Sequence, residues 1–184
     1  MARHVVLVRG APTLESARGI VRLWRIDRLE EISSGLSQPW RLEDGTVLKP
    51  CDPVLDFHIV AAPLYQHINQ GEPWKQVLEE EFRSLAAQLA QRDEAAVYGT
   101  TILWRQVAAF GASTRATPPG LFAALDTFYR EMILLAFHPA GINRVLWHRH
   151  TITEAAISRV EFCRRYGAEP AGKAVGSGSA APNP

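Results

Sequence analysis

Arg41-Leu42-Glu43-Asp44-Gly45-Thr46-Val47-Leu48, followed by Cys51-Asp52-Pro53-Val54-Leu55-Asp56-Phe57-His58-Ile59-Val60, is the stretch on which the fold turns. Asp44-Gly45 between two short apolar runs is a hairpin signal, because both residues tolerate the positive φ that a tight turn needs. It points to antiparallel pairing. The segment after it reads as a strand, with Pro50 and Pro53 at its entry, where they suit a strand start or an edge better than a sheet centre. Strand alternation puts Leu55, Phe57 and Ile59 on one face and Asp52, Val54, Asp56, His58 and Val60 on the other. Asp56 and His58 then sit roughly 7 Å apart, two strand residues. Ionisable groups in line on one face need partners or water, since burying an unpaired charge is costly. That face looks into solvent or into a site.

Working outward, the chain reads as one domain over residues 1–167 and a Pro/Gly/Ala/Ser-rich disordered tail over 168–184. A short first strand or ordered arm falls on residues 4–8. Thr13 reads as the N-cap of a helix to Ile32, with Leu14, Ala17, Ile20, Val21 and Trp24 as its stripe. Arg18, Arg22, Arg25 and Arg28 form a second row, read as a solvated face neutralised by Glu15, Asp27, Glu30 and Glu31 or as an anion-facing or membrane-surface stripe. A short helix over Pro63–Ile68 precedes a longer one opened by Pro73, whose residues Trp74, Val77, Leu78, Phe82, Leu85 and Leu89 repeat at three and four. Ala95–Tyr98 is a short strand. Gly99-Thr100-Thr101 reads as a turn before a helix over Ile102–Phe110, able to offer free N–H groups to an anion or simply to cap that helix.

Ser113–Thr117 is a weak strand or a link. A broad apolar helix runs from Pro118-Pro119 to Phe137, and Arg144–His150 is a strand. Thr151-Ile152-Thr153-Glu154 has the capping-box pattern of a last helix ending at Tyr166-Gly167. The class is α+β: a small, largely antiparallel sheet covered by three to four helices.

Composition bounds the chemistry. An apolar share of 47% and a charged share of 21% describe a chain able to fill a core, and a net charge of +1 argues against coating nucleic acid. Cys51 and Cys163 are isolated, so a zinc knuckle or disulfide framework is not expected and a reducing cytoplasm fits. No apolar run reaches the length of a membrane span. Asp56 and His58 offer a paired acid and base, with Asp52 on the same line. The plain alternative is a carboxylate that bridges a neighbour and a half-buried histidine. His148-x-His150, joined by His58 or a carboxylate, would be a metal set of the open kind, although an HxH pair alone is common. No GxSxG marks a nucleophile. Trp104 beside Arg105, and Trp147, offer wall material for a pocket.

The order Asp44-Gly45, then Asp52-Pro53-Val54-Leu55-Asp56-Phe57-His58, then Tyr98-Gly99-Thr100-Thr101-Ile102-Leu103, resembles the YkoP-like domain. The likeness continues through a long apolar helix ending near His138-Pro139, then Ile157-Ser158-Arg159 and Arg165-Tyr166-Gly167. It covers residues 15–167 or so. Cys51 replaces a glycine of the family motif, and Ala61-Ala62 stand where an asparagine is expected. The resemblance implies a bacterial source and marks Asp52, His58, Gly99 and Thr100. That domain also occurs attached to polysaccharide deacetylases, and no such region is present here, which implies a stand-alone version in specialised or envelope metabolism. It supplies no reaction.

From residues and resemblance together, the expectation is a small cofactor-independent bacterial enzyme of acid/base type, isomerising or cyclising an apolar or lipid-linked small molecule. His58 would be the acid/base, Asp56 or Asp52 its partner, and Gly99, Thr100, Thr101, Trp104, Arg105 and Trp147 the substrate wall. A non-catalytic binding domain serving glycan- or lipid-modifying enzymes is the rival, and a His-ligated metalloenzyme the third reading. No nucleic-acid partner is expected, and self-association is left open.

Overall fold

A computed structural model of the protein describes residues 10–33, 39–118 and 152–167, together with 124, 127, 128, 131 and 132. The expected helix over 119–137, the strand over 144–150, the arm at 4–8 and the tail at 168–184 fall wholly or mainly outside them. The class is α+β, as expected.

Asp44-Gly45 makes the turn it promised. Gly45 takes φ 88°, Thr46 N and Oγ1 both donate to the Asp44 carboxylate at 3.0 Å, and β3 (Trp40–Arg41) pairs antiparallel with β4 (Val47–Leu48). The strand that follows, β5 (Val54–Ile59), is internal, and its two prolines precede the first paired residue, as a ladder requires.

The first expected helix is not one. Leu14–Glu15 is β1 and Val21–Ile26 is β2, joined by a tight turn in which Gly19 takes φ 69° and its N–H donates to Ser16 O at 2.9 Å. Val21-Arg22-Leu23-Trp24 satisfies period two as well as a helical stripe, and a glycine in the left-handed region decides between them. The arginines then separate. Arg22 meets Glu15, Arg28 meets Glu30, and Arg25 meets Asp27, Asp93 and Glu94. Arg18 reaches Glu72 and Glu80 on the far side of the turn. The neutralised reading holds in part: Glu15, Asp27 and Glu30 are partners as expected, while Glu72, Glu80, Asp93 and Glu94 join from elsewhere in the chain and the helix is absent.

Helix α1 (Ala61–Asn69) and helix α2 (Trp74–Leu89) cross from β5 to β6 (Ala96–Thr101), which lies parallel to it. Pro73 immediately precedes α2, whose buried side is Val77, Leu78, Glu81, Phe82, Leu85, Ala86 and Leu89. Glu81 interrupts that stripe at 1% exposure because it has work there. It accepts from Ser16 Oγ at 2.5 Å and Arg18 N at 3.2 Å, which pins the β1–β2 turn to the helix.

The second correction is at the C-terminus. Thr153–Ser158 is a strand, β8, wholly buried between β6 and β7 (Ser113–Ala116), and helix α4 begins only at Arg159 and ends at Tyr166. The cap is Ser158, whose Oγ accepts from Glu161 N at 3.0 Å. The Ser-x-x-Glu pattern was therefore present seven residues further on, and the helix-prone Thr-Glu-Ala-Ala is held as strand by ladders on both sides. Helix α3 (Trp104–Ala109) sits between β6 and β7. The six-stranded sheet runs β1-β2-β5-β6-β8-β7.

Two cores lie on the two faces of the sheet. The first holds Leu23, Leu55, Val97 and Ile157 against α2 and α4. Phe82 is its hub, with ring centroids 5.3 Å from Phe110, 5.7 Å from Phe162 and 5.1 Å from Tyr166. The second gathers Leu29, Ile32, Trp40, Leu42 and Leu48 over Val54, Ala96, Tyr98 and Ala156. Asp56 and His58 share this second face.

At the end of β2, Glu94 is 1% exposed and bonded to Arg92 at 2.5 and 2.8 Å and to Arg25 at 3.1 Å. Burial pushes its carboxyl up, but the Arg92 hydrogen bonds, its own backbone N–H and the two guanidinium charges outweigh burial and hold it below the ordinary value of 4.5. A carboxyl depressed in the fold stabilises it above the unfolded-state value, and that stability is lost as pH falls through the folded-state value. The urea midpoint should therefore drop on acidification below 4.5, and Glu94→Gln should flatten that drop.

Candidate functional site

The chemistry-bearing face is built by register. Opposite Asp56 on β2 stands Trp24, and opposite His58 stands Arg22. On the other side of β5, Asp56 pairs with Tyr98. Tyr98 in turn faces Ala156, Thr100 faces Glu154, and Glu154 faces Arg115 on β7. Trp24, Asp56 and Tyr98 thus form one row across three strands, with neighbouring strands about 4.8 Å apart. The β5–β6 ladder runs only from Val54↔Ala96 to Asp56↔Tyr98, although both strands continue, each paired with its outer neighbour. His58 and Thr100 flank the place where that ladder ends.

His58 Nε2 lies 2.8 Å from Asp56 Oδ2. The carboxylate can only accept, so a neutral imidazole bonded this way carries its proton on Nε2 and leaves the lone pair on Nδ1. The Asp56 side chain is 12% exposed and that of His58 43%, so an inner anchor holds an outer, reachable base. The Trp24 ring meets the imidazole edge-on, centroids 5.0 Å apart, and restricts its rotation.

Beyond β6, on β8 and β7, is a network that sequence reasoning missed. Glu154, fully buried, accepts from Arg115 Nε at 2.6 Å and from Ser33 Oγ at 2.8 Å. Arg115 Nη2 also donates to Ser33 Oγ at 3.1 Å, and the guanidinium lies 4.5 Å over the Trp40 ring. Tyr98, 2% exposed, meets Ser33 and Glu154 through its hydroxyl. Burial and the nearby Glu154 charge push this phenol well above its ordinary value, so it stays protonated. Trp24 Nε1 is a buried donor with no partner among the described residues. Ser113-Thr114-Arg115-Ala116, with one cation between small residues, carried the only hint of a strand charge awaiting a cross-strand acid.

Other expected site residues go elsewhere. Asp52 accepts from Lys49 N at 2.8 Å and gives its carbonyl to Leu29 N, in the turn before β5 at the opposite end from His58. Gly99-Thr100-Thr101 is not a turn but the last half of β6, laddered to β8, so its N–H groups are not a free cradle. Thr101 Oγ1 accepts from Leu103 N at 2.9 Å, in the turn before α3, and the N-terminus of that helix has no side-chain cap, so the plainer reading of a threonine cap does not hold either. Trp104 and Arg105 lie exposed on α3, the guanidinium 5.1 Å from the indole. Arg105 lines an open groove of about 260 Å³ with Trp74, Lys75 and Phe110. A second cavity of about 240 Å³ lies between the β3–β4 turn and α4, lined by Asp44, Ser158, Glu161 and Arg165. Neither is lined by the Asp56–His58 pair. Trp147, His148 and His150 fall outside the described residues, and among the described residues no three His, Cys, Asp or Glu side chains are grouped to hold a metal.

No helix among the described residues is long and apolar enough to cross a membrane. Against known families, the model of the YkoP domain matches residues 36–166. No curated protein and no solved structure matches the chain.

Proposed function

Because the chain belongs to the YkoP domain family, which brings no reaction with it, we propose a function from the site itself: acid–base catalysis on a small molecule. The observation that carries it is the 2.8 Å contact between an anchored Asp56 and a His58 that remains 43% exposed. His58 Nδ1 takes a proton from the substrate and returns it, while Asp56 fixes the tautomer and steadies the imidazolium formed in between. The chemistry is of the isomerisation or cyclisation type, in which a proton is moved and no water is added. Trp24 beside the imidazole suits a substrate with an apolar body, including a lipid-linked one.

The rival is a binding domain that uses the same face for a ligand or for a glycan- or lipid-modifying partner. It is favoured by one observation, that the two described cavities lie away from His58. Incubation of the protein in D2O with a fractionated bacterial metabolite extract, read by mass spectrometry, separates the two. The acid–base reading expects one component to gain carbon-bound deuterium. Complete absence of such exchange would leave only the binding domain.

A further inference from the structure

The open groove at the start of α2 carries a chemistry that the Asp56–His58 pair does not use. It holds about 260 Å³ and is lined by Trp74 and Lys75, which open α2, and by Arg105, Gln106, Ala109 and Phe110 on and just after α3. A lone exposed apolar side chain is ordinary. Here Trp74 and Trp104 are both 42% exposed, and Ala109 is exposed as well. The Trp74 ring stands edge-on to the buried Phe110, centroids 5.8 Å apart, so one wall is aromatic and steadied by the core. The cations are steadied too. The Arg105 guanidinium rests 5.1 Å from the Trp104 centroid, which restrains its fork, and among the described residues it meets no carboxylate. Lys75 has Glu79 at 3.9 Å, and Glu79 is shared with Arg83 at the same distance. The first turn of α2 holds no acid that would answer these charges.

We propose that this groove is a binding site for a small aromatic acid, whose ring lies against Trp74 and Phe110 and whose carboxylate is taken by Arg105 and Lys75. Charge decides the sign of the ligand. Two cations line the groove and no aspartate or glutamate does, so a cationic ligand would meet only like charge. Size decides its class: about 260 Å³ falls just below the range of sites for drug-sized molecules and suits one ring system with its acid group. A membrane-docking face lays its apolar side chains into lipid, whereas Trp74 lines a hollow. The guanidinium fork matches a carboxylate through two parallel hydrogen bonds, and the Gln106 amide offers a further donor. No histidine, thiol, hydroxyl or carboxylate is among the described residues that line the groove, so it binds and does not react. The site is separate from the acid–base pair and stands whether or not that pair is catalytic.

The test titrates the full, nitrogen-15-labelled chain with indole-3-acetate and, in parallel, with its neutral isostere indole-3-acetamide, following the protein's tryptophan N–H signals by NMR. Wild type should bind the acid and move the Trp74 signal, which Trp74→Phe identifies. It should bind the amide about fivefold or more weakly, since one exposed charge pair is worth up to roughly that factor. Arg105→Gln should weaken binding of the acid about fivefold, and Arg105→Gln with Lys75→Gln roughly twentyfold, with binding of the amide unchanged. Both side chains are exposed, so these variants should fold as wild type does. The proposal is overturned if the acid does not bind at millimolar concentration, if the amide binds as tightly, if the Trp74 signal does not move, or if the double variant binds the acid as well as wild type. Arg105-dependent binding of a glutamate-rich peptide or of phosphatidylglycerol vesicles, with no binding of the acid, would overturn it in favour of an acidic protein or a lipid surface.

Discussion

Glu154→Ala is expected to destabilise the fold by about 3–5 kcal/mol, the cost of leaving one member of a buried ion pair without its partner. The magnitude follows from the surroundings. Glu154 has no exposed surface and takes hydrogen bonds from Arg115 Nε and Ser33 Oγ, while Arg115 is only 25% exposed and is held over Trp40. Removing the carboxylate strands a guanidinium and a hydroxyl beneath the second core. For a chain of this size the melting temperature should fall by roughly 10 °C, and the urea midpoint should fall with an unchanged slope. Replacing both charges, Glu154→Leu with Arg115→Met, should cost less than either single change, because no buried charge is then left alone. A single-variant cost near zero would mean that water reaches this network.

His58→Gln is expected to lower solvent-deuterium exchange into the substrate by about 100- to 10,000-fold, the usual contribution of a positioned acid–base group. Glutamine keeps polarity and bulk but cannot take and return a proton. With nearly half of the side chain exposed, the change should move stability by less than about 0.5 kcal/mol. Asp56→Asn keeps shape almost perfectly and should still slow exchange. Its amide can turn a donor toward Nε2, which makes that nitrogen the acceptor and moves the imidazole proton to Nδ1, where the base should be. Two variants with intact folds and lost exchange would separate catalysis from packing.

The sequence was readable wherever a local signal had one meaning. Asp44-Gly45 could only be a turn, β5 announced its alternation, and Asp56 and His58 were bound to share a face once it was a strand. Helix α2 was equally plain from its spacing. The reading failed where two periods fitted the same residues. Val21–Ile26 carries both a stripe and an alternation, and Gly19 was the arbiter that should have weighed more. Thr153–Ser158 is rich in helix formers and becomes strand only because β6 and β7 supply ladders, a fact no local window contains. The missed half of the site has the same origin. Tyr98, Glu154, Arg115 and Ser33 come from four separated segments; the order β5-β6-β8-β7 puts Tyr98 beside Asp56 and lines up Glu154 and Arg115 beyond it. What the sequence did contain, and what led to His58, was a set of charges on an otherwise apolar strand.

The pairing of Asp56 with His58 can be measured without knowing the substrate. A long-range proton–nitrogen NMR spectrum of the imidazoles, in mildly alkaline buffer where histidine is neutral, reports which ring nitrogen carries the proton, and the spectrum of His58→Gln identifies the signal. Proton transfer through Nδ1 requires the Nε2–H form in wild type and its loss in Asp56→Asn. An Nδ1–H tautomer in wild type, or a spectrum unmoved by Asp56→Asn, would contradict the oriented acid–base pair.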